Sequence, residues 1–281
     1  MDPSHRTIPL ALVAGGGSLP LKVYEACRRV GRPVILIGLT GHADPKDWPD
    51  EVEQIWIRLG KAGGTGQGLM DRGIDHICLA GHVRRPSLTS LWPDLRTAQF
   101  LAKVGAAALG DDSLLKVILK ELESGGFVIE APDQILGTDS AQLGQRGIHQ
   151  PDAIGLADLR HAFTVAKALG ALDVGQGCVC QQGMVLALET IEGTDAMVAR
   201  AGELRRGGPG GVLVKVAKPE QDHRVDKPTI GPRTVRTAHA AGLRGIGYEA
   251  GATILLDADE VVALADSLGL FVVGLTAKEQ A

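Results

Sequence analysis

The amino-acid sequence predicts an α/β protein with two α/β domains joined by a linker. The first domain is expected to hold a mostly parallel, Rossmann-like sheet and the second a mixed sheet. Two observations lead to this class. Short apolar runs alternate with segments of helical period along the chain, and the runs of the first half are continuously apolar. Continuously apolar strands are buried on both faces, as in a parallel sheet covered by helices.

Nine elements are predicted in the first half. The strands are expected at residues 8–14, 33–38, 54–59, 76–80 and 127–130, and the helices at residues 19–30, 62–72, 95–108 and 113–122. Beyond residue 130 the pattern breaks into a stretch rich in proline and glycine, where a linker is expected. The predicted division is therefore an N-terminal domain over residues 1–132, a linker over 133–152 and a C-terminal domain over 153–281.

The second half resumes the alternation. Helices are expected at residues 155–169, 194–204, 234–242 and 259–268, and strands at residues 177–182, 184–189, 211–216, 252–256 and 270–274. The first two of these strands meet at Gly183, which is typical of a hairpin. Some antiparallel pairing is therefore expected in the second sheet.

Composition narrows the functional class. Apolar residues make up 44% of the 281 residues but aromatic residues only 3%, so the core must be aliphatic. The net charge of −4 and the pI near 6.1 argue against a nucleic-acid binder, which carries a basic surface. The four cysteines form no Cys-x-x-Cys pair and are expected to be buried free thiols in a reducing cytoplasm.

The apolar N-terminal run leads directly into three glycines. This pattern fits a buried first strand better than an export signal. No apolar run reaches the ~18 residues that would span a bilayer. We therefore expect a soluble cytoplasmic protein, for which peripheral contact with the inner membrane and a homodimer both stay open.

One mixed-charge loop in the second half carries the most chemical information. Asp222 and Asp226 lie four residues apart among basic residues, in a segment bounded by proline and glycine. The basic residues are Lys218, Arg224, Lys227 and Arg233. Carboxylates are the hard ligands that Mg²⁺ prefers, and lysine and arginine neutralise phosphate oxygens. The pattern favours a metal and a phosphate held together, although a solvated loop with cancelling charges is the alternative.

A glycine-rich turn follows the first predicted strand. Gly15, Gly16 and Gly17 precede Ser18, which is placed to cap the first helix. Such a turn lets a phosphate approach the backbone at a helix N-terminus. The dinucleotide fingerprint fails, because Pro20 stands where its third glycine belongs. The glycine turn therefore either contacts a nucleotide in another way or is only a strand-to-helix turn with a cap.

Three further loops hold candidate site residues. His82 and Arg84 follow the fourth strand, on the same carboxyl edge of the predicted sheet as the glycine turn, and could meet a phosphate or a base. Asp112 is placed as a helix N-cap, with a role toward a substrate hydroxyl or a metal as the alternative. In the loop after the second hairpin strand, Glu189 and Glu192 are candidate metal ligands. Gly193 and Thr194 open a helix whose N-terminus could hold an anion, and a capped helix with solvated acids is the alternative.

These motifs, in this order and spacing, resemble the LpxI-type UDP-2,3-diacylglucosamine pyrophosphatases from about residue 10 to residue 274. The motifs are the glycine turn, the Gly81–Pro86 loop, Gly110-Asp111-Asp112, Glu192-Gly193-Thr194-Asp195 and the segment 222–231. The resemblance implies a two-domain cytoplasmic enzyme of lipid A synthesis. Such an enzyme cleaves a lipid-linked nucleotide sugar to UMP and 2,3-diacylglucosamine 1-phosphate (lipid X). It also implies a divalent metal, Mg²⁺ or Mn²⁺, and attack of water on the sugar-side phosphorus.

The resemblance places the family's essential acid at Asp226, as a metal ligand or as the base for water. Asp222 is second, and Glu192 completes the expected metal set. The expected contacts to substrate come from the glycine turn, the loops named above and a group of polar side chains in the second half. This last group consists of Arg224, Lys215, Lys218, Lys227 and Thr229. The substrate is expected to lie between the domains, against aliphatic walls that receive its acyl chains.

Two rival functions fit the same residues. A non-catalytic module could bind a nucleotide sugar or a lipid phosphate without turnover. A nucleotidyltransferase also uses glycine turns and paired acids.

Overall fold

The computed structural model describes residues 7–59, 64–83, 111–137, 141–219 and 221–277, with the backbone alone at 111–114. The chain divides into two compact units. Unit 1 comprises Met1–Gly137 and Asp222–Val225, and unit 2 comprises Thr138–Gln221 and Asp226–Ala281. The predicted linker carries a short helix and a short strand within residues 132–146. The predicted domain boundaries stay a prediction.

Unit 1 is built on a five-stranded sheet. Its strands are β1 (Leu10–Ala14), β2 (Val34–Leu39), β3 (Glu53–Ile57), β4 (His76–Ala80) and β5 (Val128–Ile129). Every pairing is parallel, in the order β3-β2-β1-β4-β5. The described helices are α1 (Leu19–Arg29), α2 (Thr65–Met70), α3 (Asp111–Ser124) and α4 (Pro132–Leu136). The predicted parallel sheet is thus confirmed, and the predicted helix at 95–108 lies outside the described residues.

The strand order of this sheet reverses between β1 and β4. The chain builds β1, β2 and β3 outward on one side and then crosses to the other side to build β4 and β5. The loops after β1 and β4 therefore meet at a topological switch point, where open α/β sheets bind ligands. Apolar side chains cover both faces of the sheet, one set around Leu12 and Leu36 and the other around Ala11 and Ile37.

Unit 2 is built on a six-stranded mixed sheet. Its strands are β6 (Gly144–Arg146), β7 (Gly177–Gln181), β8 (Met184–Leu188), β9 (Val212–Lys215), β11 (Gly245–Glu249) and β13 (Phe271–Leu275). The order is β6-β13-β11-β9-β7-β8. A separate parallel pair consists of β10 (Thr229–Ile230) and β12 (Ile254–Leu255). The helices are α5 (Ala153–Ala171), α6 (Thr194–Glu203), α7 (Pro232–Ala240) and α8 (Ala258–Ser267).

The mixed character of this sheet is also as predicted. Strands β9, β11 and β13 are parallel, whereas β7 runs antiparallel to β9 and pairs with β8 as a hairpin. One face packs on α5 and the other on α6, α7 and α8. All four cysteines are free and buried, as predicted. None of the helices in the described stretches is long and apolar enough to cross a bilayer.

Candidate functional site

The glycine turn of unit 1 is packed against the loop after β4. The Gly16 amide donates to the His82 carbonyl (2.8 Å), and the His82 amide donates back to the Gly16 carbonyl (3.0 Å). A Cβ atom at Gly15 would lie 2.6 Å from the His82 carbonyl oxygen, and one at Gly16 would lie 2.6 Å from the His82 ring. These two glycines therefore allow the approach of a neighbouring loop, a role that the sequence did not distinguish from phosphate binding.

The same turn differs from the prediction in one detail. Gly17 has a φ of +90°, which glycine adopts without strain, but Ser18 makes no side-chain hydrogen bond to cap α1. Ser18 is therefore the N-cap residue of α1, as predicted, but its side chain does not form the capping hydrogen bond. The His82 ring is exposed beside Gly16 and Gly17 at the switch point, where a ligand of unit 1 would bind. Arg84 lies outside the described residues.

Asp112 and the pair Asp222–Arg224 are the other predicted site residues of unit 1. Helix α3 already includes Asp112, so this residue is not the N-cap that was predicted, and its side chain lies outside the described atoms. The Asp222 carboxylate accepts two bonds from the Arg224 guanidinium, at 3.0 Å and 2.7 Å. A third guanidinium nitrogen of Arg224 donates to Glu123 at 2.5 Å. These hydrogen bonds hold the pKa of the Asp222 carboxyl below its ordinary value.

This arrangement engages both partners with charged groups of the chain itself. Both Asp222 oxygens face one guanidinium, and Arg224 is held by two carboxylates. A phosphate contact from Arg224 or a metal contact from Asp222 stays a prediction, and each would compete with these bonds.

The remaining predicted residues belong to unit 2, and several of them lie at the carboxyl edge of its parallel strands. Lys215 ends β9 and is 7% exposed. Its Nζ donates to the Thr229 carbonyl at 3.3 Å. Within the described parts of the chain, no carboxylate lies within salt-bridge distance of this ammonium group. Lys215 therefore keeps N–H donors for a ligand.

Asp226 lies three residues before Thr229, so the extended chain between them spans at most about 11 Å. Its carboxylate is partly buried, and no described side chain or amide bonds to it. Both oxygens can therefore serve a ligand. The segment continues through β10 into α7, whose first residue follows Gly231.

The loop after β8 places Glu189 and Thr194 together. The Thr194 hydroxyl donates to Glu189 Oε1 at 2.5 Å, so the start of α6 already faces an acid of the chain itself. Glu192 pairs with Arg200 at 2.6 Å, which lowers the pKa of the Glu192 carboxyl. The anion-binding role expected for Gly193 and Thr194 stays a prediction.

Two lysines of unit 2 are engaged differently from Lys215. Lys218 is 7% exposed and its Nζ forms a salt bridge with Asp173 at 2.8 Å. The backbone carbonyl of Lys227 accepts a bond from the Thr229 hydroxyl at 3.3 Å. A phosphate contact from Lys218 would compete with Asp173.

The predicted three-carboxylate metal set is not assembled by the described residues. Among them, no group of three or more His, Cys, Asp or Glu side chains could hold a metal ion. Asp222 and Glu192 are each bound to an arginine, which leaves Asp226 as the candidate ligand with two open oxygens.

Comparison with known proteins gives consistent matches over the chain. The family model of the LpxI N-terminal domain matches residues 9–138, and that of the LpxI C-terminal domain matches residues 142–273. A protein of Caulobacter vibrioides (strain ATCC 19089 / CIP 103742 / CB 15), named UDP-2,3-diacylglucosamine pyrophosphatase LpxI, is 40% identical over 278 residues. That alignment covers 96% of this chain and 99% of the relative.

Solved structures resemble the chain only weakly. CobK precorrin-6A reductase matches with a TM-score of 0.32 and 11% identity, over 94% of this chain and 86% of that one. The NAD complex of UDP-glucose 4-epimerase from Thermus thermophilus matches with a TM-score of 0.29 and 11% identity, over 96% and 86%.

Proposed function

Because the chain belongs to the LpxI family, we propose that it is a hydrolase that cleaves the pyrophosphate bond of UDP-2,3-diacylglucosamine. The products are UMP and 2,3-diacylglucosamine 1-phosphate, a step of lipid A synthesis. The observation that carries this proposal is the 40% identity over almost the full length of a pyrophosphatase of that name. The geometry of unit 2 supports it, since a buried lysine and an open carboxylate suit a phosphate and a water molecule.

Lys215 is the group that we assign to the pyrophosphate. An ammonium group has three N–H donors, and the Thr229 carbonyl takes one of them. The other donors can neutralise phosphate oxygens as negative charge moves onto the leaving UMP. Burial strengthens this interaction, because charges attract more strongly where water is excluded.

Asp226 is the group that we assign to the attacking water. Its open carboxylate can accept a proton from water or orient it. The water oxygen then bonds to the sugar-side phosphorus, and the bond from that phosphorus to the bridging oxygen breaks. UMP leaves with the bridging oxygen. Asp226 could instead hold the divalent cation that we propose as cofactor, Mg²⁺ or Mn²⁺, which would act as a Lewis acid on the phosphate oxygens.

The decisive test is incubation of the protein with UDP-2,3-diacylglucosamine and Mg²⁺ in ¹⁸O-labelled water. We expect release of UMP, with the label in the lipid phosphate. Label in UMP would place the attack on the other phosphorus. Absence of turnover would favour the rival binding module, and pyrophosphate-dependent conversion of the UDP-sugar to UTP and the sugar 1-phosphate would favour a nucleotidyltransferase.

The metal is tested in the same assay. We expect turnover to stop after the metal is stripped with EDTA and to return with Mg²⁺ or Mn²⁺. Full turnover in excess chelator would remove the metal from the proposal and leave Asp226 as the base.

Lys215 is tested by substitution. Lys215→Met keeps the apolar stem but removes the charge, and we expect kcat/KM to fall by at least ~10²-fold. Lys167→Met is the matched control, because Lys167 is held by Glu249 and by the Ala217 carbonyl. An equal fall in kcat/KM in the two variants would contradict a specific role for Lys215.

A further inference from the structure

Three residues form a short row at the carboxyl edge of the unit 2 sheet, two on neighbouring strands and one directly after β8. Gly177 on β7 is the register partner of Lys215 on β9. On the other side of Gly177, the Glu189 amide donates to the Gly177 carbonyl at 2.9 Å. Side chains directly opposite each other in antiparallel strands project from the same face. Lys215 and Glu189 therefore lie on one face, on either side of a residue that has no side chain.

The Glu189 carboxylate lacks one partner. Glu189 is 7% exposed, and its Oε1 accepts the bond from Thr194. Oε2 is buried and has no hydrogen-bond donor among the described residues. A Cβ atom at Gly177 would lie 2.6 Å from Oε2, so the glycine provides the space that this carboxylate occupies. A buried acceptor without a donor is unfavourable, and a ligand could supply the donor.

Lys215, by contrast, lacks an anionic partner among the residues that the structure describes. Its buried ammonium contacts a backbone carbonyl, and the described chain gives it no carboxylate. The two groups do not reach each other as a salt bridge. Together they require a ligand with an anionic oxygen at one end and an O–H or N–H donor close beside it.

We propose that Lys215 and Glu189 bind a phosphate ester with a hydrogen-bond donor next to its phosphate group. Lys215 contacts the phosphate oxygens, and Glu189 accepts a bond from a hydroxyl or amide N–H of the same molecule. This inference rests on the proposed function, since both products have this chemistry. Because Oε2 is shielded, its donor enters only after nearby side chains move. The methyl group of Met197 borders the same place, 3.2 Å from a Cβ at Gly177.

The test is a titration calorimetry series with the full-length protein at pH 8. The probes are N-acetylglucosamine 1-phosphate, UMP and methyl phosphate, which has no donor as a dianion. Lys215→Met should weaken all three by at least ~10-fold, by loss of a charge-assisted contact. Glu189→Met should weaken at least one of the first two by ~10-fold and leave methyl phosphate unchanged or tighter, because a nearby negative charge is removed.

The pattern of losses identifies the source of the ligand. If Glu189→Met weakens binding of the sugar phosphate alone, Glu189 contacts the lipid X half of the substrate. If it weakens binding of UMP alone, Glu189 contacts the nucleotide half. The inference is overturned if Glu189→Met binds both donor-bearing probes as tightly as the wild type does. It is also overturned if the variant binds all three probes more weakly by the same factor. Gly177→Ala provides a second variant if Glu189→Met does not fold. Its added methyl group displaces the carboxylate, and the same selective loss is expected.

Failure of this inference is separable from failure of the proposed function. Hydrolysis of UDP-2,3-diacylglucosamine by the wild type is measured independently. If the wild type hydrolyses the substrate but Glu189→Met does not selectively weaken binding of the donor-bearing probes, only the role of Glu189 is overturned. If Glu189→Met selectively weakens binding but the wild type does not hydrolyse the substrate, the binding role of Lys215 and Glu189 is supported and the proposed hydrolase function is overturned.

Discussion

At the scale of single residues, the acids of the mixed-charge loop differ in what surrounds them. Asp222 is held by Arg224 through both carboxylate oxygens, whereas Asp226 has no partner in the described chain. An acid that serves a ligand must have an open oxygen. This difference favours Asp226 over Asp222 as the group that acts on water.

We predict that Asp226→Asn lowers kcat by at least ~10²-fold, the scale of a lost acid–base group. Binding of UMP should persist, because Lys215 is unchanged. Asp222→Asn is the matched control, and its effect should be clearly smaller, since Arg224 retains Glu123. The measurement is UMP release under saturating substrate. A larger loss in Asp222→Asn than in Asp226→Asn would reverse the assignment.

A buried ion pair in unit 1 makes stability depend on pH. Arg32 and Glu130 are 3% and 6% exposed and form two bonds of 2.8 Å and 2.6 Å, while His76 contacts the same carboxylate at 2.5 Å. Burial raises the pKa of Glu130, but the hydrogen bonds from Arg32 and His76 outweigh it. The net result is a pKa below the ordinary value of 4.5.

A carboxyl whose pKa is lower in the folded state stabilises the protein above the ordinary pKa. That stability is lost as the pH falls through the lower, folded-state value. We therefore predict that Glu130→Gln costs on the order of 3–5 kcal/mol at pH 7, because Arg32 is left buried without a countercharge. The cost should shrink below pH 4.5. Urea unfolding of the wild type and of Glu130→Gln at pH 7 and at pH 4 measures this cost. If the difference in the free energy of unfolding between the two proteins is the same at both pH values, the prediction is contradicted.

The sequence named candidate site residues by type but could not show which groups each of them contacts. Lys215 and Asp226 were named as candidates from the residue types and the family resemblance, and their roles stay a prediction. The pairing of Arg224 with Asp222 and Glu123 depends on a contact 101 residues apart, which no local pattern encodes. Likewise, Gly15 and Gly16 suggested phosphate binding, whereas the structure shows that they admit His82.

At the scale of elements, three described strands were not predicted from the sequence, namely β6, β10 and β11, and β11 is the most instructive of them. Strand β11 contains Gly245 and Gly247, and glycine is depleted in strands, so no strand was predicted there. The structure explains both glycines by close packing. A Cβ atom at Gly245 would lie 1.9 Å from the Phe271 ring, and one at Gly247 would lie 2.7 Å from Leu159. Most other strands were predictable, because their apolar runs are continuous.

Substitution of Gly247 tests this explanation. We predict that Gly247→Ala destabilises unit 2 by about 1–3 kcal/mol, because the methyl group overpacks the contact with helix α5. Gly207→Ala is the control in the same unit, since nothing lies within 4 Å of its added Cβ, and its effect should stay within about 0.5 kcal/mol. Urea unfolding monitored by circular dichroism compares them. Equal stabilities would mean that the sheet moves to accept the methyl group.

At the scale of the whole molecule, the chain passes from unit 1 to unit 2 after residue 137 and returns to unit 1 for one short segment. Residues Asp222–Val225 belong to unit 1, although the chain before and after them belongs to unit 2. Within unit 1, Val225 packs on the apolar cluster around Ile37 and Leu119, and Arg224 binds Glu123 of α3. The next residue is Asp226. These contacts within unit 1 therefore hold the residues immediately before Asp226, the acid that we propose acts on water.

We predict that Val225→Asp lowers kcat by at least ~10-fold, although valine has no group that could take part in the reaction. A charge at this position would release the segment from the unit 1 core, and a misplacement of about 1 Å can cost ~10²-fold in rate. Val185→Asp is the control, because Val185 is 37% exposed on β8. UMP release gives kcat, and limited proteolysis reports cleavage near residues 219–227. Faster proteolysis of Val225→Asp with unchanged kcat would show that Asp226 does not depend on this anchor, and unchanged proteolysis would show that the segment is held by other contacts.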